Sequence, residues 1–157
     1  MRTIARLFIL FAICPIGITF ADTQPASPNT VLTPTEVVHI VIDALKSNDS
    51  EKNDNGIATV FEFASPSNKS VTGPLERFAT MIKRGYGDML NHVDSEFGEI
   101  DIENNTALQA VWLTSSSGVK TGYVFQLGKQ TSGKNAGMWM TESVLPLGTR
   151  KPKGQSI

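Results

Sequence analysis

A chain of 157 residues with 14 basic and 15 acidic side chains has the size of one domain and lacks the concentrated basic face that nucleic acid demands. Its one cysteine, Cys14, lies in an apolar amino-terminal run. The remainder of the chain therefore has no disulfide framework, thiolate nucleophile or cysteine metal site.

Arg2 and Arg6 precede the apolar run from Leu7 to Phe20, and Thr19-Phe20-Ala21 places small residues at the two positions a signal peptidase reads. The expectation is a signal peptide over residues 1–21, cut before Asp22, which marks the protein as secreted, into a bacterial periplasm. Pro15 and Gly17 interrupt the run, which is shorter than the ~20 apolar residues of a spanning helix. Bulky Ile13 argues against a lipid on Cys14, so no stable membrane anchor is expected after cleavage. Loss of Arg2 and Arg6 leaves 14 − 2 = 12 basic against 15 acidic side chains. Residues 22–32, which include DTQPASPNT, lack any apolar period and are expected as a flexible lead-in.

Order is expected from residue 33 to 147 as a single α+β domain. In TPTE, Thr33 can cap free amides, Pro34 suits the first helical position and Glu36 completes a capping box. Val37, Ile40, Val41, Ala44 and Leu45 then keep the spacing of one helix face. The opposite stripe is Glu36, His39, Asp43 and Lys46. Carboxylates flank His39, but two helical ligands do not close a coordination sphere, so the stripe reads as a solvated face with no metal or cofactor implied.

A polar loop leads to a second helix from about Ile57 to Ala64, with Ile57, Val60, Phe61 and Ala64 inward. SPSNKS reads as a break. TGPLERFATMIKRG then repeats the grammar of a helix: Gly73 and Pro74 open it, Leu75, Phe78 and Ile82 face inward, and Gly85 takes a left-handed closing conformation. The expectation is three helices.

The period then changes. His92 to Ile102 and Thr106 to Thr114 read as strands joined at Asn104-Asn105, a pair that tolerates positive φ; Val119 to Lys129 and Met138 to Val144 follow. Leu108, Ala110 and Trp112 alternate with Gln109 and Val111, and Tyr123, Phe125 and Leu127 with Val124 and Gln126, so one sheet face is expected to bury against the helices. Trp112 and Trp139 read as sheet packing. Arg150, Lys151 and Lys153 fall in residues 148–157, expected as a disordered basic tail. Helices followed by about four antiparallel strands, without a phosphate loop, make an α+β fold.

That order resembles the nuclear-transport-factor-2-like superfamily, a cone whose open end often holds a ligand pocket. The run FEFASPSNKSVTGPLERFATMIKRGYGDMLNH, with EFG at 96–98 and WMTESV at 139–144, is similar to a family of unknown function, number 4864, found in bacterial secreted proteins and in plants. The superfamily resemblance implies a curved sheet packed by the amino-terminal helices. It implies no reaction, because the superfamily contains isomerases, dehydratases and binding modules without catalysis.

RGYGDMLNH, Arg84 to His92, carries the candidate site. Each residue has a plain structural role in closing a helix and starting a strand. The functional reading is that Tyr86 and His92 both point into the mouth of the cone, a phenol donor beside an imidazole, with Arg77 and Asn91 as further ligand-binding candidates. Asp94 or Arg77 would orient the histidine or hold an anion. Such groups suit general acid and base work, as in dehydratases of that superfamily. Ser65, Ser67 and Ser70 lack the elbow of a nucleophilic serine. Asn48, Asn68 and Asn104 fit the glycosylation pattern, which reads as loop composition in a bacterial chain. The first expectation is a non-catalytic module that binds a small molecule or a protein. A lyase or isomerase using Tyr86 and His92, and a homodimer through the sheet face, are the alternatives.

Overall fold

Thr33 sets the start of the first helix. In a computed structural model that describes residues 26–49 and 53–150, its hydroxyl accepts from the Glu36 amide while its own amide donates to the Glu36 carboxylate at 2.7 Å. This capping box and Pro34 at the first position launch α1, Pro34–Lys46, by satisfying amides that have no partner inside the helix. The expected signal peptide, Cys14, the first residues of the lead-in and the end of the basic tail lie outside the described residues. Val37, Val38, Val41, Ile42 and Leu45 form the buried stripe of α1; Ile40 and Ala44 lie at its margins.

α2, Asn55–Phe63, is capped by the loop before it rather than by Asp54. Asp49 accepts from the Asn55 amide at 2.7 Å, and Asn48 accepts from the Ile57 amide at 3.2 Å. A Cβ on Gly56 would come within 2.2 Å of the Ala44 carbonyl oxygen. Only glycine lets the two helices approach this closely, and the approach buries Ile57 and Phe63 completely.

The stretch expected as a break is a helix, α3, Pro66–Thr72. Ser65 caps it by accepting from the Asn68 amide at 3.0 Å, and Pro66 occupies its first turn. None of its residues is buried, so it lacks the apolar period by which helices are recognised. α4, Leu75–Gly85, buries Phe78 and Ile82, and Phe78 packs on Phe61 with ring centroids 5.2 Å apart. Leu75, expected inward, is 37% exposed because it sits at the amino-terminal end of α4. Among the described residues, four α-helices thus precede the sheet.

β1, Asp94–Glu103; β2, Thr106–Thr114; β3, Lys120–Lys129; and β4, Trp139–Arg150, form one antiparallel sheet in chain order. Asn104, at φ 54°, makes the left-handed turn between the first two. β1 begins after His92, and β4 runs six residues past the expected end at Val144, into the stretch expected as a tail. Ala107, Gln109, Val111 and Leu113 face inward beside Leu127, Phe125, Tyr123 and Thr121. Leu108, Ala110 and Trp112 take the other face. There Trp112 lies over Gly122, and Arg150 stacks 4.3 Å from its ring centre. The molecule is α+β, with its helices amino-terminal to the sheet.

Candidate binding cleft

The strand order leaves β4 at an edge, where unpaired carbonyls would invite another chain. The helical half takes them. The Ser65 amide donates to the Thr141 carbonyl at 2.9 Å, the Asn68 side-chain amide to Glu142 at 2.9 Å, and the Tyr86 hydroxyl to Val144 at 3.1 Å. Pairing Leu127 with Thr141 and Gln126 with Ser143 leaves Glu142 as the extra residue of a bulge, which bends the strand locally. The Glu142 carboxylate accepts from the Ser65 hydroxyl at 2.7 Å and from Gln130 Nε2 at 2.9 Å.

Beside these ties opens a cleft of about 290 Å³. Val41 and Val60 come from α1 and α2, Phe78 and Tyr86 from α4 and its cap, and Phe125 and Thr141 from the sheet. Thr141 is 4% exposed, pairs with inward-facing Leu127, and lies on the face that carries Phe125. Its hydroxyl is buried without a hydrogen-bond partner among the described residues, although it can donate once and accept twice. A residue that lines an apolar cleft and holds an unpartnered hydroxyl is one whose hydrogen bonds a ligand can complete.

Of the residues expected at the site, Tyr86 lines the cleft. Its ring centroid lies 6.1 Å from that of Tyr123. Burial, reinforced by Asp88 and Tyr86, pushes the Tyr123 phenol up to about 12, so it stays protonated at neutral pH.

His92 does not share the cavity lining with Tyr86. It is 2% exposed, and its Nδ1 donates to the Met89 carbonyl at 2.8 Å. That bond fixes the tautomer and leaves Nε2 as a buried acceptor without a partner among the described residues. Burial lowers the imidazole pKa against the opposing Met89 carbonyl; Lys46 lowers it further, and Asp43 and Asp94 oppose. The phenol and the imidazole, expected to face one mouth, therefore do not line the same cleft. Across the turn between them, Tyr86 is half-buried against the carbonyl of Val144, while His92 is buried next to Asn91, which bonds Leu45 near the end of α1.

Asn91 is a turn residue at φ 53° whose amide donates to the Leu45 carbonyl at 3.0 Å. Gly85, expected to take the left-handed conformation, is the last residue of α4 and has no positive φ; the chain turns six residues later. Arg77 and Asp94 are exposed and do not line the cleft. His39 stacks on Phe97, with ring centroids 3.8 Å apart. No group of three His, Cys, Asp or Glu among the described residues is placed to hold a metal, and no described helix is long and apolar enough to cross a membrane.

The residues missed by sequence reasoning are Asn68, Thr141 and Glu142, together with the structural role of Ser65. They fall in FEFASPSNKS and WMTESV, two segments that bear the family resemblance. Those segments meet across 77 positions through the bond from Ser65 to Glu142. A family model described as Domain of unknown function (DUF4864) matches residues 31–153. No curated protein and no solved structure matches the chain.

Proposed function

From a chain that belongs to the DUF4864 family, a domain without an assigned activity, we propose a non-catalytic module that holds a small molecule in the cleft between α3, α4 and β4. The carrying observation is the buried, unpartnered hydroxyl of Thr141, a residue of the lining of that cleft. A volume of about 290 Å³ is about twice the ~150 Å³ that holds a benzene, which suits a ligand of about a dozen heavy atoms. The absence of His92 from the lining that holds Tyr86 supports binding over acid and base chemistry. The reading retains the resemblance to nuclear-transport-factor-2-like cones, which share the order of helices before sheet, and export to a periplasm on the strength of residues 1–21.

Fluorescence titration with 1-naphthol, a neutral molecule of suitable size, tests the cleft. Saturable binding that disappears in Met81→Trp, a variant that fills the lining, is the expected result. Equal binding to Met81→Trp, or none to the native chain, overturns the reading. Intact mass of exported protein tests the location, with an amino terminus at Asp22 expected.

A further inference from the structure

We infer that the molecule received by the cleft carries no net charge and sets one hydroxyl, carbonyl or amide group against Thr141, an assignment that rests on the cleft being a binding site. Among the described residues, no lysine, arginine or histidine lines the cavity. An anion would leave water without a counter-charge, and the hydrogen bonds on offer come from neutral groups.

A cation fares no better. Glu142, the one acidic residue of the lining among the described residues, gives both carboxylate oxygens to Ser65 and Gln130. Its carboxylate also lies over Gly128, where a Cβ would stand 2.7 Å from Oε1. Gly128 follows inward-facing Leu127, and successive residues of a strand point to opposite faces. The carboxylate therefore sits on the side of the sheet away from Phe125 and the cleft.

Neutral polarity remains, and it is concentrated. Tyr86 donates its proton to the Val144 carbonyl, so its oxygen offers a ligand only an acceptor. Thr141 has its full donor and acceptor capacity unspent among the described residues. A small apolar body with one neutral polar group matches both the volume and this buried, unsatisfied hydroxyl.

The experiment titrates the exported chain at pH 7 with 1-naphthol, 1-naphthoate, 1-naphthylmethylammonium and naphthalene, which share one ring system and differ in charge and polarity. The expected order places 1-naphthol about tenfold or more ahead of either ion, the factor that ~1.4 kcal/mol produces. Thr141→Val should weaken 1-naphthol several-fold and leave naphthalene unchanged, while Thr141→Ser restores the difference. Valine keeps the shape of threonine and removes a group that has no partner, so the variant folds, as circular dichroism will verify. Either ion binding as tightly as 1-naphthol overturns the charge assignment and leaves the binding site standing. Unchanged 1-naphthol affinity in Thr141→Val overturns the anchor. Failure of all four probes overturns the inference and the proposed function together.

Discussion

Tyr86, the cap of α4, donates its hydroxyl proton to the carbonyl of Val144 on the free edge of β4, 3.1 Å away. The bond spans 58 positions and ties the last helix to the last strand. The half-buried phenol thus does structural work as well as lining the cleft. Tyr86→Phe keeps the ring and leaves a strand carbonyl without its donor, so the fold should lose about 1 kcal/mol in urea denaturation. No loss would mean that the hydroxyl does not hold α4 to the sheet edge.

Gly85 and Asn91 exchange the roles that residue type suggests. Gly85 is helical, and a Cβ there meets nothing within 4 Å, so Gly85→Ala should raise stability by up to ~1 kcal/mol through helix propensity. Asn91 holds the left-handed turn at φ 53°. Asn91→Gly should be close to neutral, and Asn91→Val should cost ~1–2 kcal/mol. Melting curves of the three variants decide the point; a destabilising Gly85→Ala would put the turn back at the helix end.

His92 predicts an acid limit. Its pKa in the folded protein is lowered chiefly by burial, while the unfolded chain titrates near the ordinary ~6.5. Above that value both states hold a neutral imidazole, and His92 adds no pH dependence. As pH falls below it, the unfolded state takes up the proton first, so stability is lost progressively toward the folded pKa. Lys46 strengthens the effect, and Asp43 and Asp94 weaken it. Denaturation midpoints between pH 8 and pH 5 should fall less in His92→Gln than in the native chain; parallel curves would show that His92 is not the responsible group.

Elements with strong local grammar are legible in the amino-acid sequence alone. The capping box at Thr33, the Phe78 and Ile82 stripe, and the Asn104 turn all carry their cause within a few residues. α3 escapes such reading because its stability comes from the Ser65 cap and from docking on β4, and a helix without a buried residue shows no apolar period. β2 shows the complementary failure. Alternation announces two faces, but Trp112 outside and Gln109 inside invert the polarity that distinguishes them. Trp112 finds its packing over Gly122, and Gln109 Nε2 donates to the Gly98 carbonyl at 3.0 Å. The cleft is half legible through Tyr86. Its other half depends on an edge strand meeting a helix junction far away in sequence, which no local pattern encodes.

Phe78 joins the core to the cleft. It is 4% exposed, packs on Phe61, and contributes to the cavity lining. Truncation of a buried phenylalanine to alanine costs ~3–5 kcal/mol from lost burial and the void that remains. In Phe78→Ala that void should merge with the cleft, so the loss should fall near the lower end, about 3 kcal/mol. The merged space should also hold an aromatic ligand better than the native cleft does, and saturating naphthalene should recover part of the lost stability by mass action. Phe63→Ala is the control: Phe63 is fully buried and does not line the cleft, so it should lose at least as much stability, with no comparable rescue. Chemical denaturation of both variants with and without naphthalene measures the difference. Equal rescue, or a loss below ~1 kcal/mol in Phe78→Ala, far under the cavity range, would mean that Phe78 does not separate core from cleft.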